Sequence, residues 1–191
     1  MTARTHDLAA ITAWGVVLLS QPSRSLSLAT LLVSVLANQI GGIAPDIDQP
    51  TAPLWRNLPI GGFFGHAIDR LLGGHRFLTH SLLGVALFGL AMHWALGFLQ
   101  PIMPAVDMSI IWWAFMIGMV SHLVMDSFTK EGVPWLLPLP FKFGFPPLKS
   151  LRITTGKRAE VALFVCLLAF DVYYCAAHYG TILTILHHHI D

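Results

Sequence analysis

Histidine and aspartate recur in this chain at spacings that suit a metal ion. His75 and His80 stand in HRFLTH, His122 and Asp126 in SHLVMD, and Asp46 and Asp48 in PDID, with His6 near the start and Glu160 far downstream. On a helix, the interval from His122 to Asp126 turns both side chains to one face, within reach of one ion. A hydrogen-bonded core pair or a capping pair has the same spacing. Asp46 and Asp48 follow Pro45 in a turn, where their carboxylates either converge on one or two cations or cap local backbone groups. The interval from His75 to His80 is a poor one for sharing a helix face. His75 is therefore expected in the turn made by Gly73 and Gly74, with Thr79 or Ser81 capping the helix that follows. Mixed imidazole and carboxylate ligands suit Zn²⁺, and also Mn²⁺ or Fe²⁺. The set is large enough for one or two divalent ions, which would activate water near neutral pH and hold the oxygens of a phosphoester. Arg76, beside His75, offers either a bidentate fork for a phosphate or a cationic anchor at the headgroups.

The elements that must carry these residues are membrane helices. The chain has 191 residues, 55% of them apolar and 11% charged, and a mean hydropathy of +0.67. About a quarter of a soluble domain is charged, so a water-soluble globule is excluded. The 12 Phe and 6 Trp exclude disorder, and the net charge of +1 excludes a polybasic nucleic-acid binder. Five runs approach the roughly twenty apolar residues that a bilayer core requires of a helix: about Leu8 to Ser20, Leu26 to Ile43, Ser81 to Leu99, Ser109 to Phe128, and Val161 to Leu186. The expected fold is all-α, one integral membrane domain over residues 1–191, a polytopic bundle of about five spans.

Two long connections, about Ala44 to His80 and Thr129 to Glu160, are dense in Pro and Gly. With five spans they share one side with the N-terminus, and that side receives every Lys and Arg except Arg24. The positive-inside rule makes it cytoplasmic. His6, Asp46, Asp48, His75, His80, His122, Asp126 and Glu160 all fall at the same cytoplasmic level. Gly62 to Leu72 is expected as a short interfacial helix with Phe63, Phe64, Ile68 and Leu71 toward lipid. His66, His93 and His178 read as hydrogen-bonded or solvated residues. Asp171, in the middle of the last run, needs a partner or a wet cavity. Cys166 and Cys175 suggest no role.

PDID, HRFLTHSLL and GMVSHLVMDSFTKEGVPWLLPLP, followed by TGKRAE, together resemble the YdjM-like, or DUF457, family of bacterial membrane-bound metal-dependent hydrolases. The ordered pattern extends along about 160 residues. The resemblance implies a multi-pass protein of the bacterial inner membrane and a metal-assisted hydrolase with distant likeness to zinc-dependent phospholipase C. It places candidate metal residues at His6, Asp46, Asp48, His75, His80, His122 and Asp126, with Glu160 as a further member. Phe77 departs from the family's usual small Gly after His-Arg and narrows the approach to the site. Asp48, Arg76 and Glu160 are the residues expected to serve catalysis. The substrate expected is an amphiphilic phosphorylated molecule whose chains stay among membrane lipids while its ester meets the ions. A non-enzymatic metal-binding or transport protein is the alternative.

Overall fold

The computed structural model describes residues 1–21, 26–52, 55, 58–59, 61–72, 76–139 and 141–187. The candidate ligand His75 and the glycine turn before it lie outside the described residues. Among the described residues there are seven α-helices: α1 (Ala3–Ser20), α2 (Leu28–Ile43), α3 (Gly61–Leu71), α4 (Leu82–Leu99), α5 (Met108–Ser127), α6 (Arg158–Ala177) and α7 (Tyr179–His187). No strand occurs among the described residues. Among the described residues, four helical stretches are long and apolar enough to cross a membrane: Leu28–Asp48, Leu82–Leu99, Met108–Ser127 and Arg158–Ala177. Helix α1 runs beside them, packed on α2, α5 and α6. The last apolar run is not one helix, because α6 gives way to α7 at His178. The short helix expected over Gly62 to Leu72 forms as α3, with Phe63, Phe64 and Leu71 exposed.

The centre of the bundle is the pair α2 and α5. Their backbones touch: a Cβ on Gly41 would lie 2.0 Å from the Phe115 carbonyl oxygen, and one on Gly118 would lie 2.0 Å from that of Asn38. Lipid tails are as apolar as leucine, so helices in a membrane gain from close packing and interhelical hydrogen bonds rather than from leaving water. Asn38 supplies such a bond, its Nδ2 donating to the Ala114 carbonyl at 3.1 Å. Trp14 Nε1 on α1 donates to Ser34 Oγ on α2 at 3.2 Å, and Trp112 Nε1 on α5 to the Gly89 carbonyl on α4 at 2.8 Å. Ala37, Ile111, Ala114, Phe115 and Met119 fill the core between these contacts. By contrast α6 turns almost all of its surface outward.

At one end of the bundle the helices have ordinary caps. Ser27 Oγ accepts from Thr30 N at the start of α2, and Asp107 Oδ1 accepts from Ser109 N and Ile110 N at the start of α5. The opposite end collects the start of α1, the end of α2, the start of α4, the end of α5 and the start of α6. That alternation brings distant parts of the chain to one level.

The α2–α5 contact leads to an expected outcome. Gly118→Leu forces the two backbones apart, and overpacking of this kind costs about 1–3 kcal/mol or more. Thermal unfolding of the detergent-solubilised protein should move down by roughly 5–10 °C, whereas Gly97→Leu, where a side chain would meet open space, should leave it almost unchanged.

Candidate metal centre

His122 is set by the contact just described. Pro45 has no N–H to offer the carbonyls one turn back in α2, and the Gly42 carbonyl instead accepts from His122 Nδ1 at 2.6 Å. With its proton on Nδ1, His122 directs a bare Nε2 into the cluster. That atom is buried and has no hydrogen-bond partner among the described residues.

His80 is oriented by a different device. Ser81 caps α4, its Oγ accepting from Gly84 N at 3.0 Å, so His80 stands just ahead of the helix. The Thr79 hydroxyl donates its single proton to Asp48 Oδ2 in a short bond, and Thr79 Oγ1 lies 2.9 Å from His80 Nδ1. A hydroxyl that has given away its proton can only accept. His80 must therefore carry its proton on Nδ1 and turn the lone pair of Nε2 inward.

Two carboxylates meet the two imidazoles. His80 Nε2, Asp46 Oδ1, His122 Nε2 and Asp126 Oδ2 form a closed ring of alternating nitrogen and oxygen, with successive separations of 3.8, 3.7, 3.9 and 3.7 Å. Ligand atoms about 2.0–2.2 Å from a tetrahedral zinc ion stand about 3.3–3.6 Å apart. The ring is only slightly wider. His80, His122 and Asp126 are buried, and Asp46 is the member open to solvent, at 29%. Asp46, His80 and His122 bring one ligand atom each within 4.8 Å of one another, a donor set whose chemistry suits a divalent ion.

His6 stands behind this ring. Its imidazole stacks on that of His122 with centroids 3.8 Å apart and planes 10° from parallel, and its Nε2 lies 3.3 Å from Asp126 Oδ1. His6, His122 and Asp126 also bring one ligand atom each within 4.8 Å of one another. His122 has only one bare nitrogen, so this triad and the ring are alternatives for an ion, not simultaneous partners.

Asp126 carries the most neighbours. The Met1 ammonium lies 2.7 Å from its Oδ1, and the Arg76 guanidinium reaches its Oδ2. These cations offset a carboxylate that stands at the negative end of the α5 dipole. Arg76 NH1 also pairs with Glu131 Oε2 at 2.9 Å and donates to Thr129 Oγ1 at 3.3 Å. The Arg76 backbone is left-handed, with φ 61°, a conformation costing a non-glycine residue about 1–2 kcal/mol. Its N–H donates to Asp48 Oδ2 at 3.1 Å, which helps to hold that conformation.

Asp48 and Glu160 take places unlike those of the ring residues. Asp48 is buried completely and grips Thr79 and the Arg76 backbone, with Oδ2 3.9 Å from His80 Nδ1, on the side of the imidazole away from the ring. Glu160 joins α6 to α1: its Oε1 accepts from Thr2 N, Thr2 Oγ1 and Thr5 Oγ1 at 2.6, 2.7 and 2.8 Å, and its Oε2 from Gly156 N at 2.6 Å. Asp171 finds the partner that its depth requires in Thr12, whose hydroxyl is 2.9 Å away. Of the other histidines, His66 Nδ1 pairs with the Gly62 carbonyl and His178 Nδ1 with that of Tyr174. Sequence reasoning missed Thr2, Thr5 and Glu131 as partners, and read Thr79 only as a possible helix cap. The adjacency of Thr79 and His80 was the one available signal.

Fold and site together define a polytopic helical membrane protein with a buried His/Asp cluster able to hold a metal ion. The chain belongs to the YdjM inner membrane protein family, whose model matches residues 1–181. It is 30% identical over 135 residues to the uncharacterized protein YvsG of Bacillus subtilis, covering 71% of this chain and 73% of that one. To the inner membrane protein YdjM of Escherichia coli it is 31% identical over 134 residues, covering 67% of this chain and 58% of YdjM. No solved structure matches the chain.

The Thr79 relay makes a prediction that separates orientation from packing. Thr79→Val keeps the shape but removes the hydroxyl, and should weaken Zn²⁺ or Co²⁺ binding about 10–100-fold, the usual cost of losing a group that orients a ligand. Thr79→Ser should restore most of the affinity, as read by isothermal titration of the purified protein.

Proposed function

We propose that this chain is a membrane-bound metal-dependent hydrolase, cleaving a phosphoester of an amphiphilic, lipid-like substrate at the cytoplasmic surface of the bacterial inner membrane. The observation that carries the reading is the ring of His80, His122, Asp46 and Asp126 donor atoms at the end of an apolar bundle. A single divalent ion, Zn²⁺ first and Mn²⁺ or Fe²⁺ next, suits that ring, because His122 has one nitrogen to give. Bound there, the ion would supply Lewis acidity toward the phosphoryl group and activate water.

The chain's own residues have distinct tasks in this proposal. Asp46, His80, His122 and Asp126 hold the ion, and His6 backs His122 through the stacked rings and Asp126 through Nε2. Asp48 acts through Thr79, fixing the His80 tautomer, and so affects catalysis by orientation. Arg76 serves the anionic substrate: its guanidinium lies against Asp126 at the edge of the ring, and its Nε is buried with no hydrogen-bond partner among the described residues. Glu160 keeps α6 against α1 and thereby keeps His6 in place. The level of the site suits a substrate whose chains stay in lipid, since the ring stands where the apolar helices end.

Two outcomes test the proposal. His80→Ala, His122→Ala and Asp126→Ala should each remove stoichiometric metal from protein that still inserts, and chelation should abolish release of phosphate or phosphoalcohol from a phospholipid and isoprenoid-phosphate panel. Added Zn²⁺ or Mn²⁺ should restore release, and Arg76→Ala should raise KM more than it lowers kcat. Full metal content with no turnover of any phosphoester would favour the metal-binding or transport reading. For orientation, a cysteine placed between Gln100 and Asp107 should react with an impermeant reagent from the periplasmic side. Labelling from the cytoplasm alone would invert the assignment.

A further inference from the structure

The connection between α5 and α6 exposes more apolar surface than a loop in water can bear. Phe141 and Phe145 are 63% and 61% exposed, and Leu148 and Leu151 are 65% exposed each. These side chains are held outward by a built structure. Val133 and Phe143 exchange backbone hydrogen bonds of 2.8 and 2.9 Å, Phe145 N donates to the Ser127 carbonyl at 2.8 Å, and Ile153 N to that of Phe128 at 2.9 Å. The Arg152 guanidinium lies flat against Gly144, where a Cβ would be 2.3 Å from it, and donates to the Pro146 and Pro147 carbonyls. The loop spends its polar groups on keeping its own shape and presents its apolar ones.

The exposed charges of the same connection are mostly positive, with Glu131, 68% exposed, the acid among them. Lys130, Lys142, Lys149, Lys157 and Arg158 are exposed, while Glu131 is paired with Arg76 and Glu160 is buried against α1. Apolar side chains interleaved with lysines are the composition that seats in the boundary of an anionic leaflet. The loop is also fastened one residue after Asp126, through Ser127 and the edge-to-face contact of Phe128 with Phe145 at 5.8 Å.

We infer that residues 141–151 form a preorganised wedge that inserts into the anionic leaflet of the host membrane, with Phe141, Phe145, Leu148 and Leu151 among acyl chains and Lys142 and Lys149 on lipid phosphates. The inference stands on the loop alone and does not require that the neighbouring cluster be catalytic. It gives the headgroups beside Asp126 and Arg76 a fixed depth, as a surface enzyme acting on lipid would need.

The test uses the full-length protein carrying Cys166→Ser and Cys175→Ser, with a single cysteine at Phe141 or, if that variant inserts poorly, at Leu148. An environment-sensitive label there is read in nanodiscs of phosphatidylcholine alone or mixed with phosphatidylglycerol. The label should emit as in an apolar medium, be quenched by lipids brominated on the acyl chains, and be quenched more when phosphatidylglycerol is present. Lys142→Gln or Lys149→Gln should lower the phosphatidylglycerol preference roughly fivefold per residue, with the spans still inserted. Water-like emission, or quenching indifferent to phosphatidylglycerol, would overturn the inference. So would an apolar signal lost when each nanodisc holds one chain, which would assign the loop to a second copy.

Discussion

The backbone contact between α2 and α5 is the constraint on which the site depends. Gly41 and Gly118 allow carbonyls and Cα atoms to approach within distances no side chain would permit. That closeness brings His122 to the Gly42 carbonyl and decides which imidazole nitrogen is left for the cluster. In a membrane the contact has an additional value, since no transfer from water drives helices together and the fit of their surfaces must do so. The same pair that makes the core therefore sets the chemistry at its end.

A second constraint is charge. Asp46, Asp48 and Asp126 gather where the C-terminal ends of α2 and α5 already present negative dipoles. Isolated carboxylates in such a place are costly, and the surroundings respond with specific partners: the Met1 ammonium and Arg76 for Asp126, and Thr79 and the Arg76 backbone for Asp48. The imidazoles of His80 and His122 turn their Nε2 atoms inward. Such a cluster is arranged for a cation, with the Arg76 guanidinium sharing Asp126 Oδ2 at its edge.

Around this centre the helices differ in their work. Helix α4 supplies His80 from its capped start and then shows most of its length to lipid, as does α6 beyond the Glu160 anchor. Among its described residues the connection after α5 has one short 3-10 turn, Lys149–Leu151, and its glycines admit close backbone approaches that its arginine and carbonyl groups fill. Each of these parts lies at the level of the cluster, so the end of the bundle is polar within and apolar at its rim.

Much of this was legible in the residues alone. Long apolar runs with acids and histidines at alternate ends dictate membrane helices that run back and forth and meet at one level, since a charged group at mid-depth is expensive. The interval from His122 to Asp126 placed both on one face, and the order of the motifs carried the family resemblance. What the sequence could not decide was which donors face inward. Asp46 and Asp48 are neighbours of the same type in one turn, yet one joins the ring and the other holds Thr79 and Arg76. Glu160 shares the level of the cluster, but the amide and hydroxyls of Thr2 and Thr5 claim its carboxylate. Such choices depend on tautomers, on a carbonyl freed by Pro45 and on contacts between residues more than a hundred positions apart. Local spacing records none of these, and only the packed helices determine them.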